Sequence, residues 1–517
     1  MATGELPRLG RALLETGELR ERGEQQLPDA SLFDLPEKAV QFGTGAFLRG
    51  FVDVYVDDAN RCGQFGGRIV AVSSTEAGGA RDVSVAGQDG LFTLVTRGLE
   101  NGRLMQEQRV IASLSRALSS RREWEAVLHC ARNPQLELVV SNTTEVGIAL
   151  DEGDAFEADP PRSFPGKLTR FLYERAKTFA FARSKGVVVL PCELIERNGD
   201  VLRDVVLELA RRWQLGQRFV EWIEHSVPFC NTLVDRIVTG APSDEERATL
   251  EATLGYRDAL LTTAEPYRLF AIEADPEVGA RLPFAGLPGV VITNDIRPYR
   301  ERKVRLLNGA HTIMVSPALL CGVDTVGEAA KHDLIASFVR RAMFDEIVPT
   351  VDVPGAAAFA EEVLDRFANP FIRHSLWDIA LQSSMKMRVR IVPSVVRHAE
   401  LTGRAPSSLA FAIAAHLLFA RGDLARDRRS HGLAVPEDTQ GERIASLWRD
   451  VALDESHNGS QEWTALARRA CADESLWGVD LTRVPGFSEI VGEHLGRAAK
   501  QGVAAALEAH LASPAIA

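Results

Sequence analysis

A short apolar run at residues 38–42, Lys-Ala-Val-Gln-Phe, stops at Gly43-Thr44-Gly45 and gives way at once to a helical pattern reaching Ala59. This succession constrains the fold more than any other feature of the chain. Similar brief runs recur at residues 68–72, 136–141 and 186–190, each ending in small or polar residues. Runs apolar at consecutive positions suit parallel strands buried on both faces, which place successive side chains in two cores. Helical patterns separate them, for example at residues 167–179 and 200–213. Strand and helix in alternation predict a doubly wound α/β domain.

The pattern changes near Gly289. Residues 290–292 form one more strand-like run, and beyond Arg300 the chain is almost wholly helical in periodicity. Residues 409–419 are apolar on nearly every side, which predicts a core helix; residues 421–443 are polar and predict a surface loop. With 517 residues, two or three domains are expected. The boundaries are set at 1–35 for a charged amino-terminal extension, 36–288 for the α/β domain and 289–517 for a mostly α-helical domain. The formal charge of −12 argues against nucleic acid or an anionic membrane as the main partner. Six scattered cysteines lack zinc or disulfide spacing, and the first residues read as neither a secretory signal nor an anchor. A cytoplasmic protein acting on a small molecule, as a monomer or small homo-oligomer, is expected.

Gly43-x-Gly45 between a strand and a helix fits a phosphate-binding turn: the first glycine makes the turn and the second lets a pyrophosphate approach the backbone. The usual third glycine is replaced by Leu48, and Arg49 is placed to reach a phosphate. The alternative is an ordinary strand–helix turn without a ligand. Glu76 is the first acid after the second strand, and no arginine follows directly to take a 2′-phosphate, which favours NAD over NADP. Ser141-Asn142-Thr143-Thr144-Glu145 follows the third run and either lines the cofactor crevice or caps a helix.

The run from Lys303 to His311, Lys-Val-Arg-Leu-Leu-Asn-Gly-Ala-His, carries the chemistry. At roughly 100° per residue, Asn308 lies ~140° and His311 ~80° around a helix from Lys303, so all three can border one cleft. Hydride transfer at a carbinol needs a proton acceptor on the hydroxyl, which a lysine can supply. An amide such as Asn308 can steady the developing alkoxide, and His311 can hold the oxygen or the lysine. A solvated lysine and a core histidine are the alternative. No zinc is expected, because no His, Cys or carboxylate pair shows ligand spacing.

Several blocks closely resemble the polyol-specific long-chain dehydrogenases, the mannitol dehydrogenase-like family. They include Gln41-Phe42-Gly43-x-Gly45-x-Phe47-Leu48-Arg49, Pro191-Cys192-Glu193-Leu194-Ile195, Leu233-Val234-Asp235-Arg236-Ile237, Glu301-Arg302-Lys303-x-x-x-Leu307-Asn308-Gly309-Ala310-His311 and Asp480-Leu481-Thr482-x-Val484-Pro485-Gly486. The resemblance implies a Rossmann-type amino-terminal domain, a helical carboxy-terminal domain and a site in the cleft between them. It implies NAD(H), held by Phe42, Gly43, Gly45, Phe47, Arg49, Glu76, Asn142, Thr143, Thr144 and Glu145. It implies Lys303 as proton donor and acceptor beside Asn308 and His311, without metal. Asp235, with Arg236, is expected near the substrate, and Lys386 or Arg388 to grip it; Leu194 stands where part of the family carries a further asparagine. The implied reaction interconverts a keto sugar acid and its aldonate; the alternatives are fructuronate reduction or a mannitol- or arabinitol-type polyol dehydrogenation within the same superfamily, a non-catalytic dinucleotide-binding sensor, and a metal-dependent epimerase or hydrolase acting on the same sugar acids.

Overall fold

The computed structural model describes residues 6–22, 25–74, 76–143, 147–449 and 460–513, with the side chains at 21, 22, 76–78, 80 and 460 left aside. The chain divides into two compact units, one of residues up to Arg97 and Leu104–Ile296, the other of Gly98–Arg103 and Arg297 onward.

The first unit is built on a parallel sheet of β1 (Glu37–Phe42), β2 (Arg68–Ser73), β5 (Leu114–Ser119), β6 (Leu138–Ser141) and β7 (Val188–Pro191), in the order β5-β2-β1-β6-β7. Its strands send alternate residues into two cores. Ala39, Ile69, Ala71, Leu138 and Val140 pack with the helix Val52–Arg61, whereas Val40, Phe42, Val70, Val72 and Val139 pack with the helix Phe164–Thr178. This double burial explains the unbroken apolar runs of the sequence and makes the unit a Rossmann-type layer structure.

Two smaller sheets complete it. The intervening strands β3 (Phe92–Glu100) and β4 (Arg103–Ile111) pair with each other and, through β3, with β10 (Thr262–Ala264) and β9 (Val238–Gly240). The third sheet joins β8 (Thr232–Asp235), β11 (Leu269–Glu273) and β12 (Val290–Thr293). The first residues are tied to this unit: Leu9 and Leu19 are buried with Leu91, Val95 and Tyr256, and Leu9 donates its backbone N–H to the Arg257 carbonyl at 2.9 Å.

The second unit is helical. Its centre is the helix Ser407–Ala420, buried along most of its length and packed on Gly309–Leu320 and Phe487–Gln501. The polar stretch after it, expected as loop, contains the helix Asp423–Ser430 and the first residues of the helix Gly441–Leu447. Among the described residues no single helix is long and apolar enough to cross a membrane.

Candidate active site

In the sheet order, β1 and β6 are neighbours whose connections leave in opposite directions, which opens a crevice at their carboxyl ends. Gly43 follows β1 there. Its φ of 132° lies in the region open to glycine, and a Cβ would come 2.9 Å from the Leu48 side chain and 3.0 Å from the Asn142 carbonyl. Gly43 thus lets the turn after β1 lie directly against the turn after β6. Gly45 differs: at φ −70° it is unstrained, and a Cβ there would meet nothing within 4 Å. The space above Gly45 is open.

The turn after β6 is held from beneath. Asn142 donates its side-chain amide to the Cys192 carbonyl at 2.8 Å. Thr143 donates from its backbone N–H (3.0 Å) and hydroxyl (3.1 Å) to Glu193, which also accepts from the Ser141 hydroxyl at 3.1 Å. Burial raises the Glu193 pKa, and these donors oppose the shift. Thr144 and Glu145 lie outside the described residues, as does the side chain of Glu76.

Other expected contacts are turned elsewhere. Arg49, expected to reach a phosphate, is buried and donates to the Thr44 carbonyl at 2.7 Å and the Thr262 hydroxyl at 3.2 Å. It holds the glycine turn in place rather than reaching out of it. Phe42 points into the core against Phe164 and Phe171, and Phe47 stacks on Phe51 at 5.1 Å, so both rings serve packing. Arg236, expected at the substrate, clamps the backbone instead. It donates to the carbonyls of Glu265 (3.0 Å) and Gly50 (2.7 Å), and burial lowers its pKa to about 10. Asp235 is buried at the end of β8, opposite Leu269 of β11. Leu194 is exposed.

In the second unit, residues Lys303–Asn308 wind as a π-helical turn between the α-helices Arg297–Arg302 and Gly309–Leu320. Bonds from i to i+5 set residues five apart one above the other. Lys303 and Asn308, expected ~140° apart on an α-helix, therefore share a face, and His311 follows a single α-turn later. Lys303, Asn308 and His311 are all half-buried. The His311 ring lies 4.3 Å from that of Phe367 and 5.2 Å from that of His374, measured between centroids. Burial first, then the positive potential of His374, Arg366 and Arg390, holds its pKa well below the usual imidazole value. His311 is a neutral ring at pH 7.

The helix Ser383–Arg390 packs beside Gly309–Leu320. Lys386 donates to the Ile379 carbonyl at 2.8 Å, and its pKa is lowered by burial and by Arg390. Arg388, the other expected grip, is exposed and lies against Gly478, half a turn away from Lys386. Arg390, one turn on from Lys386, donates to the Thr312 hydroxyl at 3.2 Å and the Asn308 carbonyl at 3.5 Å. Among the described residues no three His, Cys, Asp or Glu side chains converge as a metal site.

Both units match family models: residues 37–286 the mannitol dehydrogenase Rossmann domain, residues 295–498 the mannitol dehydrogenase C-terminal domain. The chain belongs to the mannitol dehydrogenase family. Curated relatives of this oxidoreductase family include the altronate oxidoreductase of Yersinia enterocolitica, 42% identical over 480 residues, covering 92% of this chain and 97% of that protein. The altronate oxidoreductase of Escherichia coli K12 is 41% identical over 476 residues, covering 90% and 95%. Among solved structures, Pseudomonas fluorescens mannitol 2-dehydrogenase, a ternary complex with NAD and D-mannitol, aligns with a TM-score of 0.65 at 24% identity over 98% of this chain and all of that one. A substrate-free D-sorbitol dehydrogenase aligns at 0.75 and 22% identity over 96% of this chain and all of that one. These two likenesses concern the mannitol dehydrogenase fold.

Within this family frame, sequence reasoning missed Glu193, His374, Arg366 and Arg390. Glu193 stands in the Pro191–Ile195 block, where nothing in its neighbours signals a role. Arg390 had a signal: it is four residues from Lys386, the spacing of one helical face.

Proposed function

We propose that this chain is an NAD(H)-dependent, metal-independent oxidoreductase that interconverts D-tagaturonate and D-altronate, working in the cytoplasm as a monomer or small homo-oligomer. The observation that carries the reading is the π-helical turn, which stacks Lys303 and Asn308 and sets a neutral His311 one turn beyond. The names of the curated relatives support the substrate. The NAD of the mannitol 2-dehydrogenase complex and the glycine turn at the β1/β6 crevice support the cofactor. Gly43, Gly45 and the turn carrying Asn142 and Thr143 would hold it.

The nicotinamide, when bound, supplies hydride in reduction and takes it in oxidation. Lys303 handles the proton: as an ammonium it gives one to the carbonyl oxygen, and as an amine it removes one from the hydroxyl. Oxidation therefore favours higher pH than reduction. Asn308 donates its amide to the oxygen as charge builds there. His311, neutral, donates a hydrogen bond without adding a charge that would compete for the proton. Lys386 faces the anionic end of a sugar acid.

The deciding experiment follows NADH absorbance with tagaturonate, fructuronate, fructose and their reduced partners, repeated with NADPH and with chelator. Tagaturonate and altronate are expected to turn over fastest, with NAD(H), and undiminished by chelator. Faster fructuronate or fructose turnover would reassign the substrate within the family. NADH binding without turnover of any would support a dinucleotide sensor instead.

A further inference from the structure

Arg390 is set apart from the other buried arginines by what it lacks. Its guanidinium is half-buried, and burial alone accounts for its lowered pKa. One of its nitrogens, Nη1, makes the two bonds to Thr312 and Asn308, while Nε and Nη2 make none. Among the described residues no carboxylate pairs with it. Yet cations gather beside it: Lys386 lies one turn away on the same helix, and His311 feels both Arg390 and Arg366. A protein of net charge −12 has no shortage of acids to pair with such a group. Leaving a half-buried guanidinium without a counter-ion is costly unless a ligand provides one.

We infer that Arg390, with Lys386, forms the seat of the substrate carboxylate, so that Arg390 sets the preference of this enzyme for sugar acids over neutral polyols. The inference rests on the sugar-acid reading above. The free edge of the guanidinium, Nε with Nη2, offers two parallel donors, the geometry that matches a carboxylate with two bonds. Lys386 adds a point charge on the same face. The bond from Nη1 to the Asn308 carbonyl ties this seat to the turn that carries Lys303, so an anchored carboxylate and the proton-transfer group share one support. Arg388, turned toward Gly478, takes no part.

The test compares wild type with Arg390→Gln and Arg390→Lys, checked for equal melting temperature, in the oxidation of D-altronate and of neutral D-mannitol. For Arg390→Gln, the ratio of kcat/KM for altronate over mannitol is expected to fall roughly 10- to 100-fold, the range for a lost charge-assisted bond, with the loss mainly in KM. Arg390→Lys should recover part of it. In wild type, the KM for altronate should rise with ionic strength, and Arg390→Gln should flatten that rise. This second readout needs no mannitol turnover and is not moved by a purely structural role. If Arg390→Gln lowers both substrates equally and leaves the salt dependence intact, Arg390 only supports the catalytic turn and the inference is overturned. If wild type does not oxidise altronate at all, the sugar-acid reading itself has failed.

Discussion

Replacing Gly45 by alanine separates the cost of folding from the cost of binding. At Gly45 the backbone has φ −70° and ψ 161°, ordinary for alanine, and the added methyl meets no protein atom within 4 Å. Stability should therefore hold or rise, by about 0.4–1 kcal/mol, because alanine restricts the unfolded chain. If the space above Gly45 receives a pyrophosphate, the same methyl intrudes on it. Overfilling a fitted contact costs about 1–3 kcal/mol, or roughly 5- to 150-fold in the NADH dissociation constant. Gly43→Ala is the contrasting case. Its φ of 132° and the 3.0 Å approach to the Asn142 carbonyl strain the fold itself, so melting temperature and NADH affinity should fall together. The assay is thermal melting beside NADH fluorescence titration for both variants. Should Gly45→Ala bind NADH as wild type does, the turn after β1 is not the pyrophosphate cradle.

Lys303→Met should retain NADH binding and lower kcat by at least about 10²-fold in both directions, the span general acid–base catalysis supplies; near-normal single-turnover rates would remove Lys303 from proton transfer. Asp53 is fully buried, and burial raises its pKa to about 8 against the opposing influence of Arg49 and Gln41. Its folded pKa exceeds the unfolded value, so the folded state binds the extra proton, and the stability this one group contributes is fully present below about pH 4 and is lost between about pH 4 and 8, by up to about 1.4 kcal/mol per unit. Asp53→Asn should raise the melting temperature at pH 8 more than at pH 5, and equal gains at both would refute the titration. Arg236→Met strands the carbonyls of Glu265 and Gly50 and should destabilise by about 2–4 kcal/mol in urea unfolding. Unchanged stability with a raised substrate KM would return Arg236 to the substrate.

The parallel sheet was legible because its strands carry the periodicity of double burial: β1, β2, β6 and β7 all lie within a few residues of the apolar runs. The two smaller sheets were not, since strands such as Thr262–Ala264 and Val238–Gly240 are three residues long and take their register from partners distant in sequence. At the candidate site, residue types were legible and directions were not. Asn142 and Thr143 follow their strand as expected, but the carbonyl and carboxylate that orient them come from the segment just after the next strand. The π-turn left no mark in composition, so counting 100° per residue separated Lys303 from Asn308, which the wider turn brings together.

Arginines expose the limit of sequence most clearly, and also show what structure adds. Arg49, Arg236 and Arg390 look alike in the sequence, each with an apolar residue next to it. Arg175 spends its donors on four carbonyls, of Ala131, Asn133, Leu136 and Lys185. Arg236 and Arg49 follow the same pattern with fewer partners. Such an arginine is a backbone clamp: its charge is dispersed over carbonyl dipoles, and adding an anion would mean breaking those bonds. Arg390 keeps two of its three nitrogens unspent, next to a second cation. Sorting buried and half-buried guanidinium groups by donors already committed, rather than by position in a motif, distinguishes those that hold the fold from those that await a ligand. On the helix Ser383–Arg390 the half-buried Arg390 stands beside Lys386, whereas Arg388 lies exposed on the opposite face against Gly478.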